Sequence, residues 1–552
     1  MGYFWDAAAI FSYFALVIGV GLASARGRGD NMREFSVGSR QLPWWAVLAS
    51  IIAAELSAAT FLGAPGEGYY LRNFTYVQLA IGTVLARIIV AYLFLKPFFD
   101  NNVVSIYEFL EIRFGAATRN AASAVFLVTR LLASGTRLYV AAVILVLGYE
   151  MVHGIAASDS EKIWIYGGAV CLVTLLTTIY TAAGGIRAVI WTDVIQAIIM
   201  GGALIFALVT LWFGVGGWSG AHGVLTGPKD LKFYDDGLDY NQGILANIWS
   251  VLGSEYTIWA AVLGSVFTTM ATHGTDQDMV QRMLTAKDFH KSRLALILSG
   301  LIDIPVGLAF AFIGILIYVF YQMHPDPELP TKNPEIFSYW ILHQLPPGAR
   351  GLLIAGVLAT AMGSLSTALN ALATSFTQDF WVPIWGRNAN QHRVVQAVKW
   401  STIAFALMLA AVGTITAAVV VYSPHARILP VVLGIFGYTY GSLLGIFLLG
   451  LTTKTRGTER GNLIGMLAGF IVVGILSGLP WDLINAVRGQ STDIGFRIIW
   501  LAQHGLLVFQ KGYVHAPDWL VQIEFPWRVM FGTITTYAVA FCFKRKASLV
   551  TP

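Results

Sequence analysis

The chain has 552 residues, 56% of them hydrophobic and only 12% charged, with a mean hydropathy of +0.67. A soluble domain carries about 25% charged residues, so the composition excludes a soluble protein and marks a polytopic membrane protein. The formal charge of +5 calls for no nucleic-acid partner, and the two cysteines, Cys171 and Cys542, lie in apolar runs with neither a disulfide framework nor metal-binding spacing.

Apolar runs of about 18 residues or more mark spanning helices, and about 13 occur. They cover residues 4–24, 44–70, 76–97, 120–149, 161–181, 188–215, 246–273, 292–322, 349–380, 394–422, 427–450, 461–479 and 526–543. The first run has no basic stretch before it and exceeds the length of a signal segment, so it reads as a retained span. The loops alternate in charge. One set carries Arg26, Arg28, Arg33 and Arg40, then Arg113 and Arg119, Arg187, Lys287, Lys291 and Arg293, Arg387, Arg393 and Lys399, Lys454, Arg456 and Arg460, and finally Lys544, Arg545 and Lys546. The other set is acidic, with Asp235, Asp236, Asp239, Asp326 and Glu328. The positive-inside rule places the first set in the cytoplasm, the N-terminus outside and the C-terminus inside. Residues 480–525 form a long outside segment, expected to cap the outer face or to hold a short interfacial helix. No loop has a phosphate-cradling glycine turn after a strand, so an ATP-driven motor is not expected. The 56 glycines are spread along the chain, as close helix contacts require.

The second run holds a contradiction. In IIAAELSAATFLGAPG, residues 51–66, the carboxylate of Glu55 stands among small and apolar neighbours. Ionisable groups inside spans are costly and rare.

Several segments carry a resemblance. FSVGSRQLPWWAVLAS opens at Phe35, and the small-residue stretch after it ends in GAPGEGY. YTAAGGIRAVIWTDVIQAIIM covers 180–200, TDQDMVQRMLTAKD covers 275–288 and ATAMGSLSTALNALATSFTQDFW covers 359–381. Together and in this order they resemble the sodium:solute symporter family. The resemblance implies an all-α fold of the leucine-transporter type, a 5+5 inverted repeat with one extra N-terminal helix and about two extra C-terminal helices. Mapped onto this chain, 4–24 is the extra helix, 44–215 the first repeat, 246–451 the second and 461–543 the C-terminal helices. Such transporters bind solute near the membrane midplane, at broken helices whose freed carbonyls and amides line a cavity. Ala53, Ala54, Ser57, Ala58 and Ala59 permit close approach around Glu55, and Gly63, Pro65 and Gly66 disturb the helix further on. The second break is expected at His273-Gly274-Thr275-Asp276. Glu55 is then expected in a water-accessible cavity.

In the 349–380 span, Thr360, Ser364 and Thr367 stand at i, i+4 and i+7 and share one helix face. Their hydroxyls either bond carbonyls of their own helix or face a hard cation. The resemblance implies a sodium site made of the Ala53 and Leu56 carbonyls with Thr360, Gly363 and Ser364. Gly363 departs from the serine common at this position, which removes one oxygen. Asp193, in WTDVIQ, either contributes to a second sodium site or a proton path, as in some family members, or is a helix-start aspartate near the cytoplasmic interface. For Glu55 three roles stand open: a partner for Arg137, a contact for a cationic solute, or tuning of the coupling-ion site as an extra oxygen or a proton carrier. Proline-transporting relatives have an acid at the matching position, which favours the third.

Arg137 lies well inside a span, always charged and presenting a planar fork. It either pairs internally with Glu55 or Asp193, or clamps an anionic solute. In the sialic-acid branch of the family an arginine of this helix binds the substrate carboxylate, and the other implied solute contacts fall here on Ser57, Thr60 and Gln78. His273 reads as a structural histidine, and Asp303, two residues before Pro305, as the partner of a kink. Trp44, Trp45, Tyr69 and Tyr70 read as interface anchors.

The expected function is a cation-coupled symporter, with sodium as coupling ion, that imports a small anionic solute by alternating access: sialic acid, an acidic sugar or a monocarboxylate. The alternative is a neutral sugar or polyol symporter with Arg137 paired internally. The expected place is the inner or plasma membrane, with solute, sodium and lipid as partners. An embedded enzyme would need clustered histidines or paired acids on adjacent turns, and none is found. A sensor would need a signalling domain, and the tail after Phe543 is short.

Overall fold

The computed structural model describes residues 2–25, 31–154, 157–422, 428–481, 484 and 523–544. Most of the expected outside segment 480–525, together with Arg26, Arg28, Arg545 and Lys546, lies outside the described residues. Among those described, regular structure is helical, and extended pairing is confined to two isolated bridges, Leu42 with Ala286 and Arg456 with Lys544.

The helices are α1 (Gly2–Ala25), α2 (Trp44–Glu55), α3 (Ala58–Leu71), α4 (Leu79–Leu93), α5 (Ala116–His153), α6 (Asp159–Gly214), α7 (Val266–Gly274), α8 (Gln277–Met283), α9 (Phe289–Met323), α10 (Asn333–Gln344), α11 (Ala349–Phe376), α12 (Gln391–Val421), α13 (Ile428–Thr452), α14 (Glu459–Leu476) and α15 (Phe525–Phe541), with short helical turns between some of them. Nine of the described helices are long and apolar enough to cross a membrane, and ten candidates result when α2 and α3, bent by 62° to each other, count as one broken span. The difference from about 13 has physical causes. At 1.5 Å per residue the 56 residues of α6 would run about 84 Å, far beyond one hydrocarbon layer. The run is broken at Gly185, whose φ of 55° and ψ of −151° are not helical, so it makes the two expected spans. The 17 residues of α15 are slightly short, and α7 with α8 form another broken element.

Two expectations about boundaries change. The 246–273 run is not one helix: residues 244–252 form a separate, largely exposed helix, and the chain turns through residues 253–257, after which the Ile258 amide bonds the Asp235 carbonyl at 2.8 Å. Helix α10 was not anticipated. Its 12 residues are too short to span, yet Ile336, Phe337, Trp340 and Ile341 are buried.

Helix α11 forms the centre. It packs on α5, α6, α1 and α12, and its 349–376 stretch buries nearly every side chain. Small residues allow the close crossings. A Cβ on Gly314 of α9 would stand 1.8 Å from the Pro65 carbonyl oxygen, and one on Gly68 would stand 2.2 Å from that of Ala311. Backbones of α3 and α9 therefore touch directly, as small residues permit in membrane bundles. This fixes α3, the second half of the first broken helix, against a continuous one.

Candidate cation and solute site

The site begins with a backbone defect. Helix α2 stops at Glu55, and Leu56 (φ −75°, ψ 81°) and Ser57 (φ −79°, ψ 165°) leave the helical region before α3 starts. The Ser57 amide, which would close on Ala53 in a continuous helix, bonds the Glu55 carbonyl at 2.8 Å. The Thr60 amide, which would close on Leu56, bonds the Ser57 carbonyl at 2.9 Å. The carbonyls of Ala53 and Leu56 are thereby released from the helical ladder. Freed carbonyls inside a membrane are tolerated only where protein or a polar cavity receives them. The second break falls at Thr275-Asp276, between α7 and α8, where expected.

Helix α11 faces the first break. A Cβ on Gly363 would lie 3.2 Å from the Ala53 carbonyl oxygen. Thr360 donates its hydroxyl proton to the Val357 carbonyl at 2.6 Å, Ser364 to Ala361 at 3.1 Å and Thr367 to Ser364 at 2.9 Å. The two alternatives for these hydroxyls are compatible. Each spends its single proton on its own helix, which leaves oxygen lone pairs for a cation.

Asp193 is fully buried in the second half of α6 and accepts a 2.5 Å bond from the Ser50 hydroxyl of α2. It lies two turns past the break at Gly185, so it caps no helix start; its Oδ1 has no hydrogen-bond partner among the described residues. Arg282 donates to the Ser50 carbonyl at 2.8 Å and pairs with Asp278 at 3.1 Å, which ties α8 to α2, the first half of the broken helix.

Glu55 is not paired with Arg137. Its Oε1 is bound by the guanidinium of Arg87 from α4, and Nε2 of His273 stands 3.1 Å from the same oxygen. Arg87, wholly buried, also holds Asp303 of α9 at 2.6 Å and donates to the Ser299 hydroxyl at 2.8 Å. The four groups Glu55, Arg87, His273 and Asp303 form one buried cluster that joins both broken helices to α4 and α9. Glu55 and Asp303 keep 17% and 20% of their side chains exposed, so the cluster has an open side. Asp303 is an ion-pair partner as well as the neighbour of Pro305, and His273 belongs to the cluster. Sequence reasoning missed Arg87, although the signal was present: a lone arginine in the apolar run GTVLARIIVAY needs a carboxylate as much as Glu55 needs a cation.

Arg137 projects from α5, with its guanidinium 5.0 Å from the centre of the Phe436 ring. Arg130, two turns earlier, stands over the same ring and is paired with Asp276 and, at 3.0 Å, with Asp278. Arg137 has no ion-pair partner among the described residues, and its Nε is buried without a hydrogen bond. The expected internal pairings are not made, because Glu55 is taken by Arg87 and Asp193 by Ser50. Ser57 and Thr60 bring their hydroxyl oxygens 3.5 Å apart at the break. Gln78 is placed differently: its amide nitrogen donates to the Tyr256 carbonyl at 3.1 Å and its oxygen accepts from the Asp235 amide at 3.3 Å. It fastens the segments that carry Asp235 and Tyr256, and no described contact joins it to Ser57, Thr60 or Arg137.

A profile of the sodium:solute symporter family matches residues 35–469. The chain is 27% identical over 515 residues to the sodium/sialic acid symporter NanT of Aliivibrio fischeri, covering 92% of each protein. It is 29% identical over 469 residues to the sodium-coupled monocarboxylate transporter 2 of Danio rerio, covering 82% of this chain and 69% of that one. Among solved structures, a substrate-bound, outward-open Na+-coupled sialic acid symporter superposes with a TM-score of 0.75 at 22% identity, covering 98% of this chain and 97% of the other. That likeness shows the fold, an all-helical arrangement of the leucine-transporter type. The freed carbonyls opposite a hydroxyl-bearing helix fit that fold, and the family match spans well over half of the chain. The protein is a multi-pass membrane protein that belongs to the sodium:solute symporter family, with sodium as its coupling ion.

Proposed function

We propose that the protein imports a small organic anion with sodium by alternating access, across the inner or plasma membrane, with its N-terminus outside and its C-terminus in the cytoplasm. The observation that carries the anionic solute is Arg137, an interior guanidinium with no carboxylate partner among the described residues. A permanently charged fork inside a membrane protein gains most from a planar anion. Sialic acid and monocarboxylates, named for two of the relatives above, both carry a carboxylate; an acidic sugar is the third candidate. A neutral sugar or polyol would leave Arg137 uncompensated. Ser57 and Thr60 are the proposed hydroxyl contacts to the solute, and Gln78 acts from the outer loop. The work is transport, with no bond made or broken in the solute.

The sodium site in this reading comprises the carbonyls of Ala53 and Leu56 and the hydroxyls of Thr360 and Ser364. Asp193 serves a second sodium or a proton path, and Glu55 tunes the first site through the charge it shares with Arg87. The two repeats are 44–215 and 246–451, each opening near a broken helix.

Ser364→Ala is expected to raise the sodium concentration for half-maximal uptake about tenfold, because a hydroxyl on an ion is worth at least one such factor. Thr367→Ala, one turn further along α11, should change it far less. Equal sodium activation curves for wild type and Ser364→Ala in proteoliposomes would remove the assignment.

Arg137→Lys keeps the charge and loses the bidentate fork. It should raise the half-saturation concentration for a carboxylate solute by about tenfold or more. Unchanged half-saturation in the lysine variant would favour a neutral solute.

A further inference from the structure

Gln196 lies one turn beyond Asp193 on α6 and is almost completely buried, yet neither its amide oxygen nor its amide nitrogen has a hydrogen bond of good geometry among the described residues. Both ends of a buried amide left unpaired is an uncommon and costly arrangement. Its surroundings differ at the two ends. The hydroxyls of Tyr13 and Tyr180 stand near its amide. Its Oε1 points toward α11, where a Cβ on Gly363 would stand 2.9 Å from that oxygen and 3.2 Å from the released carbonyl of Ala53. Two buried oxygens, for neither of which a well-formed hydrogen bond is found among the described residues, thus converge on the side-chain position of residue 363. Lone pairs facing each other repel unless a positive charge or a proton donor lies between them.

From this geometry we infer that Gln196 is a ligand of the coupling ion, and that its amide oxygen supplies the contact that a serine at position 363 would otherwise give. The glycine is part of the device. A side chain at 363 and the extended amide of Gln196 compete for the same space, since 2.9 Å is closer than a real Cβ approaches an oxygen. The absence of a Cβ admits the amide, and the amide brings the oxygen. A neutral amide oxygen is a good ligand for a hard cation and adds no negative charge. Asp193 beside it supplies the charge. The inference rests on the sodium site proposed above, of which Ala53, Thr360 and Ser364 are the other walls.

The test uses the full-length purified protein and measures the sodium concentration that half-saturates thermal stabilisation, which needs no solute and no turnover. Gln196→Leu should raise that midpoint about tenfold, the loss of one oxygen on a charged partner. Gly363→Ala should do the same with Gln196 still present, because the methyl displaces the amide and brings no oxygen. Gly363→Ser should stay within about threefold of wild type, and Gly363→Ser combined with Gln196→Leu should return to that level. A Gln196→Leu midpoint equal to wild type overturns the inference, and so does failure of the serine to rescue it. Should Gln196→Leu not fold, equal midpoints for Gly363→Ala and Gly363→Ser overturn it alone. Ser364→Ala is run alongside. If that variant also leaves the midpoint unchanged, the sodium site as a whole is misplaced and the ligand role falls with it; if Ser364→Ala shifts and the Gln196 set does not, only the role of Gln196 is lost.

Discussion

Arg87→Met is expected to destabilise the folded protein by about 3–5 kcal/mol, the cost of leaving buried charges without their counter-ion. The arginine is wholly buried and is the shared partner of Glu55 and Asp303. Methionine fills a similar length without a charge, so the effect reports electrostatics rather than a cavity. Two carboxylates would then face each other beside His273, inside the apolar part of the bundle. Thermal unfolding of the purified variant measures the loss. Neutralising the acids in the same background, with Glu55→Gln and Asp303→Asn, should recover most of it, since an uncharged cluster needs no guanidinium. Arg87→Met with the stability of wild type would show that the cluster is solvated well enough to carry its charges apart. The cluster also restricts what Glu55 can do. A carboxylate bound by a guanidinium and a histidine is not free to take a cationic solute. In the function proposed above, its influence on sodium runs through the break at its helix end, where the carbonyls of Ala53 and Leu56 on either side of it are released.

The first break was legible because small residues and a charge coincide in AAELSAAT, and a membrane helix has little reason to hold either there. The second was legible at His273-Gly274 for the same reason. Partners were harder to read than positions. Arg87 pairs across 32 residues with Glu55 and across 216 with Asp303, and no local pattern reports such pairing. Arg137 and Arg130 look alike in sequence, two interior arginines seven apart on α5. Only the fold reveals that the motif TDQDMVQR delivers Asp276 and Asp278 as ion-pair partners to Arg130, while no ion pair to Arg137 forms among the described residues. Gln196 carries no charge, so its burial without a partner is invisible until α11 is placed against α6. Gln78 shows the reverse case, a residue type that fits a solute contact and whose amide is bonded at both ends, to Tyr256 and Asp235. Helix α10 escaped because its 12 residues fall below any span length, although the helices around it bury it.

Gly185→Ala is expected to cost about 3 kcal/mol or more, from a backbone conformation that glycine alone adopts readily. With φ at 55° and ψ at −151°, residue 185 folds one half of α6 back from the other. A Cβ there would also meet the Phe35 carbonyl oxygen at 2.4 Å and the Phe35 ring at 2.9 Å, so the turn cannot accept a methyl by a small shift. Gly201→Ala and Gly202→Ala are the controls. Both glycines lie in the same helix with open space around the missing Cβ, and both substitutions should be neutral or stabilising by up to about 1 kcal/mol. Thermal unfolding of the three variants separates the turn from a general intolerance of α6 to alanine. The consequence reaches the cation site, because Asp193 and Gln196 stand on the half of α6 that Gly185 orients. The Ser50–Asp193 bond of 2.5 Å and the approach of Gln196 to Ala53 both depend on that orientation. A Gly185→Ala protein that still folds should consequently bind sodium more weakly, while Gly201→Ala should bind as wild type does. Equal stability and equal sodium midpoints for Gly185→Ala and Gly201→Ala would mean that the turn at Gly185 neither strains the chain nor sets the register of the residues behind it.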